Sequence, residues 1–150
     1  MLPHLSPLNS IDYAPARHAL GLRRDVAAPA AARRSLEDWF DRALDPDVLS
    51  TAKLLTTELV TNAVIHGQGE ITFRARLDER CLHVDVEDAG IGFAWPVRQR
   101  SPEREPWPVP EPDLASSGGW GLFIVEDQSE RCGVREGTGH VWFELTAPSA

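Results

Sequence analysis

The stretch ELVTNAVIHGQGEITFRARLDERCLHVDVEDAGIGF, Glu58 to Phe93, changes its hydrophobic period once and then breaks off at glycines. Its first part has helical spacing and stops at His66-Gly67, where Gly67 reads as a C-terminal stop. EITFRARL then alternates Ile71, Phe73, Ala75 and Leu77, and CLHVDVED alternates Leu82, Val84 and Val86, with DER turning the chain between them. Two half-buried strands so close together form a β-hairpin. The helical part poses a question. At 100° per residue Glu58 and Asn62 lie about 40° apart on one face. Leu54 and Ile65 flank that face on one side, Leu55 and Leu59 on the other. Two polar groups set inside an apolar stripe need partners, because an unpaired buried carboxylate costs several kcal/mol.

Working outward, residues 1–14 have no period and read as a loose N-terminal arm. HALGLRR is a candidate first strand. PAAARRSLEDWFDRA, Pro29 to Ala43, is a helix with Ala32, Leu36, Trp39, Phe40 and Ala43 in one stripe. Asp45-Pro46 punctuates the chain before a second helix from about Asp47 to Ile65. After the hairpin, residues 94–117 hold six prolines, Pro96, Pro102, Pro106, Pro108, Pro110 and Pro112. Such a run is neither a central strand nor a helix interior, and a loop this long is a lid, a binding loop or disordered. GGWGLFIVEDQSE opens on glycines and turns helical; CGVRE and HVWFELT close the chain as a second hairpin. Strands joined by hairpins, with helices gathered elsewhere, predict an α+β two-layer sandwich: a mixed, mostly antiparallel sheet covered on one face by helices. Residues 15–150 then form one domain.

A chain of 150 residues with 42% hydrophobic and 25% charged residues suits a single globular domain. The net charge of −8 argues against binding a phosphate backbone, and LRRD and ARRS read as solvated charge. Cys81 and Cys132 belong to no CxxC pair and read as buried free thiols. Neither a signal peptide nor a run of about 20 apolar residues is present, so a cytoplasmic protein is expected.

Three short segments carry chemistry. Glu58-x-x-x-Asn62 suits a hydrated Mg²⁺ and its surroundings, since that ion takes oxygen ligands and few protein contacts; it equally suits a helix whose polar pair binds the next loop. Asp88-Ala89-Gly90-Ile91-Gly92 ends a strand. Its carboxylate can accept from an amino group and its glycines admit a flat ring, or it is a strand-ending turn. Gly118-Gly119-Trp120-Gly121 opens a helix, with N–H groups available to phosphate, or it is a hinge. It is neither a Walker A motif nor a G-x-G-x-x-G turn.

In this order the three are the N, G1 and G2 boxes, and the chain resembles the GHKL ATPase superfamily with its Bergerat nucleotide fold. ELVTNAVIHG, VEDAGIGF and GGWGLFIVE on so short a chain are most similar to bacterial anti-sigma-factor serine kinases of the RsbW and SpoIIAB type; GTGHVWFEL fits that family's final hairpin. The resemblance covers roughly residues 18–146. It implies ATP and Mg²⁺ as cofactors, with Asn62 on the metal and Glu58 as general base or orienter of the attacking hydroxyl. Asp88 would accept from the adenine amino group, with Gly90 and Gly92 lining the base. Gly119 and Gly121 would serve the phosphates, Thr138 the adenine end, and residues 94–117 the ATP lid. It also implies a homodimer, and a sigma factor and a STAS-type antagonist as partners. The sequence departs from the pattern at Ser117, where kinases of this type carry an arginine that reaches the terminal phosphate. Trp120 also stands bulky between the glycines. A docking module without catalysis is therefore the alternative to a serine/threonine protein kinase. Neither His66, at a helix end, nor His83, in a strand, reads as a catalytic base, and the five tryptophans read as packing residues.

Overall fold

A computed structural model describes residues 16–90, 119–135 and 138–147; the expected arm at 1–14, Gly92 and the expected lid lie outside them. Five strands, β1 (Ala16–Leu22), β2 (Ile71–Leu77), β3 (Cys81–Asp88), β4 (Arg131–Arg135) and β5 (Gly139–Thr146), form one sheet in the order β1-β2-β3-β5-β4. Three helices, α1 (Ala28–Phe40), α2 (Pro46–His66) and α3 (Gly119–Gln128), share a core with one face of it. The α+β class expected from the order of elements is the class observed. The sheet is less mixed than expected, since every pairing among the described strands is antiparallel.

The alternation along each strand sets the layers. Ile71, Phe73 and Ala75 of β2, Leu82, Val84 and Val86 of β3, and Phe143 and Leu145 of β5 are buried under the helices. Full burial of each larger side chain contributes roughly 1.5–3 kcal/mol. At the β1 edge Trp39 stacks between His18, at 4.7 Å, and Phe73, at 5.6 Å, closing the core with aromatic contacts. The opposite face is polar. Glu144 there accepts from Arg131 Nη2 at 2.9 Å and faces His83 Nδ1 at 3.2 Å, and Trp142 stacks on His83. Cys81 and Cys132 are half-buried thiols, less enclosed than expected; burial, then nearby Glu144 and Asp78, push the Cys81 thiol up and away from reactivity.

Helix α2 begins where Asp45 caps it, its carboxylate accepting from the Asp47 N–H at 2.8 Å with Pro46 in the first turn. It runs antiparallel to α1, with Lys53 Nζ at 3.4 Å from Glu37 and Arg33 Nη1 donating to Thr57 Oγ1 at 3.0 Å. Arg33 of ARRS is therefore engaged between helices and is not simply solvated charge.

Several sequence expectations change. The first strand begins two residues earlier than HALGLRR and ends before Arg23. Helix α1 ends at Phe40, leaving Ala43 exposed in the following turn while Leu44 fills the core position assigned to it. Leu54 and Ile65 are 39% and 50% exposed, so they do not flank a buried face. The core stripe of α2 is Ala52, Leu55, Leu59, Val60 and Ala63, with Thr56 and Asn62 buried among them. Glu58 sits at its rim.

Candidate functional site

The C-terminal end of α2 and the ends of β3 and β5 meet at Asp88. Asp88 is the last residue of β3 and pairs in register with Gly139, the first residue of β5. Its Oδ1 accepts from the Gly90 N–H at 2.6 Å and, weakly, from the Gln68 N–H at 3.4 Å. The Ala89 N–H returns to the Gln68 carbonyl at 2.8 Å. Arg24, beyond β1, donates to the Gly67 carbonyl at 2.6 Å, so the segment leaving α2 is held from two sides. Gly69, at φ 68°, supplies the left-handed residue that turns this segment into β2.

Asn62 faces the same place from one helical turn back. It is 6% exposed, and its Nδ2 is buried without a hydrogen-bond partner among the described residues. A buried amide end left unpaired costs about 1–3 kcal/mol. Leu59, Asn62 and Ala63 of α2, Val86 and Asp88 of β3, Leu122 of α3, and Gly139 and Val141 of β5 line one narrow cleft. The space between them is about 10 Å³, room for one water, so admitting a ring requires these walls to part. Asn62 and Asp88, both singled out in the sequence, are thus brought together.

Glu58 is half-buried one turn further from Asp88 and does not line the cleft. Burial alone pushes its carboxyl above the ordinary range, which favours the protonated form and makes the ionised form a stronger base. Gly119 is the first residue of α3 and Gly121 lies in its first turn, where N–H groups lack intrahelical partners. Thr138 is tied into the turn that precedes β5. Its hydroxyl donates to the Arg135 carbonyl at 2.7 Å and accepts from the His140 N–H at 3.3 Å, holding the β4–β5 turn.

Three residues went unrecognised in the sequence. Gly67 is the helix stop it was read as, the C-cap after His66, yet its φ of −81° is open to any residue. It is small because a Cβ there would stand 2.6 Å from Asp88 Oδ2 and collide with the Ala63 carbonyl. Gly139 is pressed against the same carboxylate. Arg24 was set aside as solvated charge. Of these, only Gly139 had a local signal, its place in the GTG turn.

The donor set fits an adenine nucleotide: a buried amide with an unpaired end, a carboxylate with glycines packed around it, and a helix N-terminus beside them. A model of the histidine kinase-like ATPase domain matches residues 22–145. The chain belongs to that family. Membership in the histidine kinase-like ATPase domain family implies ATP binding. Among curated relatives, the anti-sigma F factor of Clostridium acetobutylicum is 34% identical over 93 residues, covering 58% of this chain and 62% of the relative. The anti-sigma F factor of Bacillus subtilis is 30% identical over 95 residues, covering 59% and 62%. The chain therefore spans about three-fifths of the length of the relatives it matches. The crystal structure of the RsbU and RsbW domains of a Mycobacterium tuberculosis protein aligns over 89% of this chain and 32% of that one, with a TM-score of 0.60 and 19% identity. That likeness concerns the fold alone. Among the described residues, no helix is long and apolar enough to cross a membrane.

Proposed function

We propose that this chain is an anti-sigma factor with serine/threonine protein kinase activity, which sequesters a sigma factor and phosphorylates a STAS-type antagonist. The observation that carries the nucleotide part is the meeting of Asn62 and Asp88, 26 positions apart in sequence, on one cleft where the buried Asn62 amide has an unpaired end. The names of the relatives support the sigma-factor part. A homodimer in the cytoplasm is the setting we assign to it.

Bound ATP with Mg²⁺ supplies the transferable phosphoryl group. The Asn62 carboxamide would hold the metal through its oxygen, an oxygen ligand being what Mg²⁺ takes. Asp88 accepts from the adenine amino group, and Gly90, Gly92 and Thr138 border the base. The N–H groups of Gly119 and Gly121 would serve the phosphates, and residues 94–117 are the segment to which we assign the lid. Glu58 orients the attacking serine hydroxyl and takes its proton. Its displacement from the cleft by one turn suits a group that works beyond the phosphates, and its raised proton affinity suits a base.

Ser117, standing where an arginine is expected, favours a second reading: a protein-docking module that binds nucleotide without transferring phosphate. Phosphoryl transfer needs cationic stabilisation; Arg98, Arg100 and Arg104 are the available substitutes. Two assays separate the readings. Calorimetry with ATP, with and without Mg²⁺, is expected to show metal-dependent binding. Phosphate incorporation into the cognate antagonist then marks the kinase, and ATP binding without incorporation selects the docking module.

A further inference from the structure

The nucleotide reading employs the Asp88 carboxylate; what holds that carboxylate is a separate matter. Glycines from three different segments press on it. A Cβ at Gly90 would stand 2.8 Å from Oδ1, and one at Gly67 2.6 Å from Oδ2 and 2.7 Å from Cγ. At Gly139 it would stand 2.7 Å from Cγ and collide with Oδ1. None of the three has a positive φ; Gly69 alone does among the described residues. Backbone conformation therefore does not demand glycine at these positions, and space does. Oδ1 is occupied by the N–H groups of Gly90 and Gln68. Among the described residues no hydrogen bond reaches Oδ2.

We infer that Gly67, Gly90 and Gly139 are positioning residues, forming a socket that fixes the Asp88 carboxylate in one rotamer and leaves Oδ2 as the acceptor for a ligand's amino group. The base preference of this inference rests on the nucleotide reading above; the socket itself does not. A carboxylate that cannot swing aside presents an acceptor at one point only. It favours a ring bearing an exocyclic amino group over one bearing an oxo group there, because the oxo group would oppose the carboxylate without a proton between them. A Cβ in the socket turns the carboxylate away and removes that preference. Gly67 caps the C-terminus of the helix that carries Asn62, so the socket also ties the base end of the cleft to the metal end.

Gly90→Ala is the cleanest probe, since among the described residues an Asp88 side-chain oxygen is the only atom closer than 3.4 Å to the added Cβ. The full chain is made as wild type, Gly90→Ala, Asp88→Ala and the double variant, and each is melted without nucleotide. Gly90→Ala is expected to lower Tm beside Asp88 and to raise it once the carboxylate is gone, as a glycine-to-alanine change does where the conformation allows it. Unfolding of Gly90→Ala that Asp88→Ala rescues counts for the socket. A change of the same sign, or unfolding, in both backgrounds overturns it. Calorimetry of wild type and Gly90→Ala with ATP and with inosine triphosphate then tests base choice. ATP affinity is expected to fall at least tenfold while inosine triphosphate affinity holds; a parallel loss for both, or none for either, overturns the positioning role. Wild type that binds neither nucleotide sinks the nucleotide reading, and the melting cycle still judges the socket.

Discussion

Asp85 and Asp88 lie three residues apart on β3 and are held in opposite ways. Asp85, on the open face, is 7% exposed and is met by side chains: His140 Nε2 lies 2.5 Å from Oδ2 and Arg74 Nη1 lies 3.6 Å from it. Its Oδ1 is sealed from solvent without a partner among the described residues. Asp88, at the strand end, is met by main-chain N–H groups and by glycines, and it borders a cleft. Side-chain partners fill the space around a carboxylate and bind strands together. Backbone partners hold it while leaving room beside it. The first arrangement serves the sheet and the second is available to a ligand.

Exchanging the roles of the two aspartates breaks this comparison most directly. Asp88→Asn is expected to reduce ATP affinity by a hundredfold or more, with a shift of a few degrees at most in Tm, measured by calorimetry and thermal melting. Asp85→Ala is expected to do the reverse, costing about 1–3 kcal/mol of stability by stranding the part-buried His140, while Arg74 keeps its hydrogen bond to Glu87 and ATP affinity stays within threefold. Loss of ATP binding in Asp85→Ala would erase the distinction.

Asn62→Ala sharpens the comparison from the α2 side. Its ATP affinity in Mg²⁺ is expected to fall to the metal-free value, and a retained Mg²⁺ dependence would place the metal elsewhere. Glu58 gives an effect on transfer, not on binding: Glu58→Gln is expected to abolish phosphate incorporation with ATP affinity unchanged. It also has a pH signature. Burial raises its folded pKa, so the folded state holds the proton more tightly than the unfolded chain, and stability is lost as pH rises from the ordinary carboxylate pKa through the raised one. Glu58→Gln should therefore melt above wild type at pH 7, with the gap closing as pH falls below the ordinary carboxylate range.

The smallest effect belongs to Glu144. Burial tends to raise its carboxyl, but hydrogen bonds from Arg131 and His83 outweigh that and hold it below the usual range. Stability from this group is present above the unfolded pKa and is lost as pH falls through the folded one. Arg131 is largely exposed, so Arg131→Ala is expected to cost no more than about 1 kcal/mol. Its Tm deficit at pH 7 should shrink in acid, and ATP affinity should be unchanged.

The fold was legible because its elements are local. Alternation from Ile71 to Leu77 and from Leu82 to Val86 located β2 and β3 to within a residue, and Asp45-Pro46 marked the start of α2. The motifs named Asn62 and Asp88 for the same reason: a helical face and a strand-ending DxGxG are short-range patterns. What failed was the helical wheel taken alone. It placed Glu58 inside the apolar stripe, with Leu54 and Ile65 on one side and Leu55 and Leu59 on the other, yet the face that packs is set by the sheet and by α1, and Leu54 and Ile65 are left exposed.

The sequence by itself determined the order of elements, the α+β class and the polar residues worth watching. Only the tertiary structure decided that Asn62 is buried and Glu58 marginal, that Arg24 holds the end of α2, and that Gly67 and Gly139 are small for the sake of Asp88. The physical reason is distance along the chain. A φ angle or a hydrophobic period is set by neighbours a few residues away, whereas room for a Cβ depends on atoms 21 and 51 positions distant, which meet only when the sheet closes.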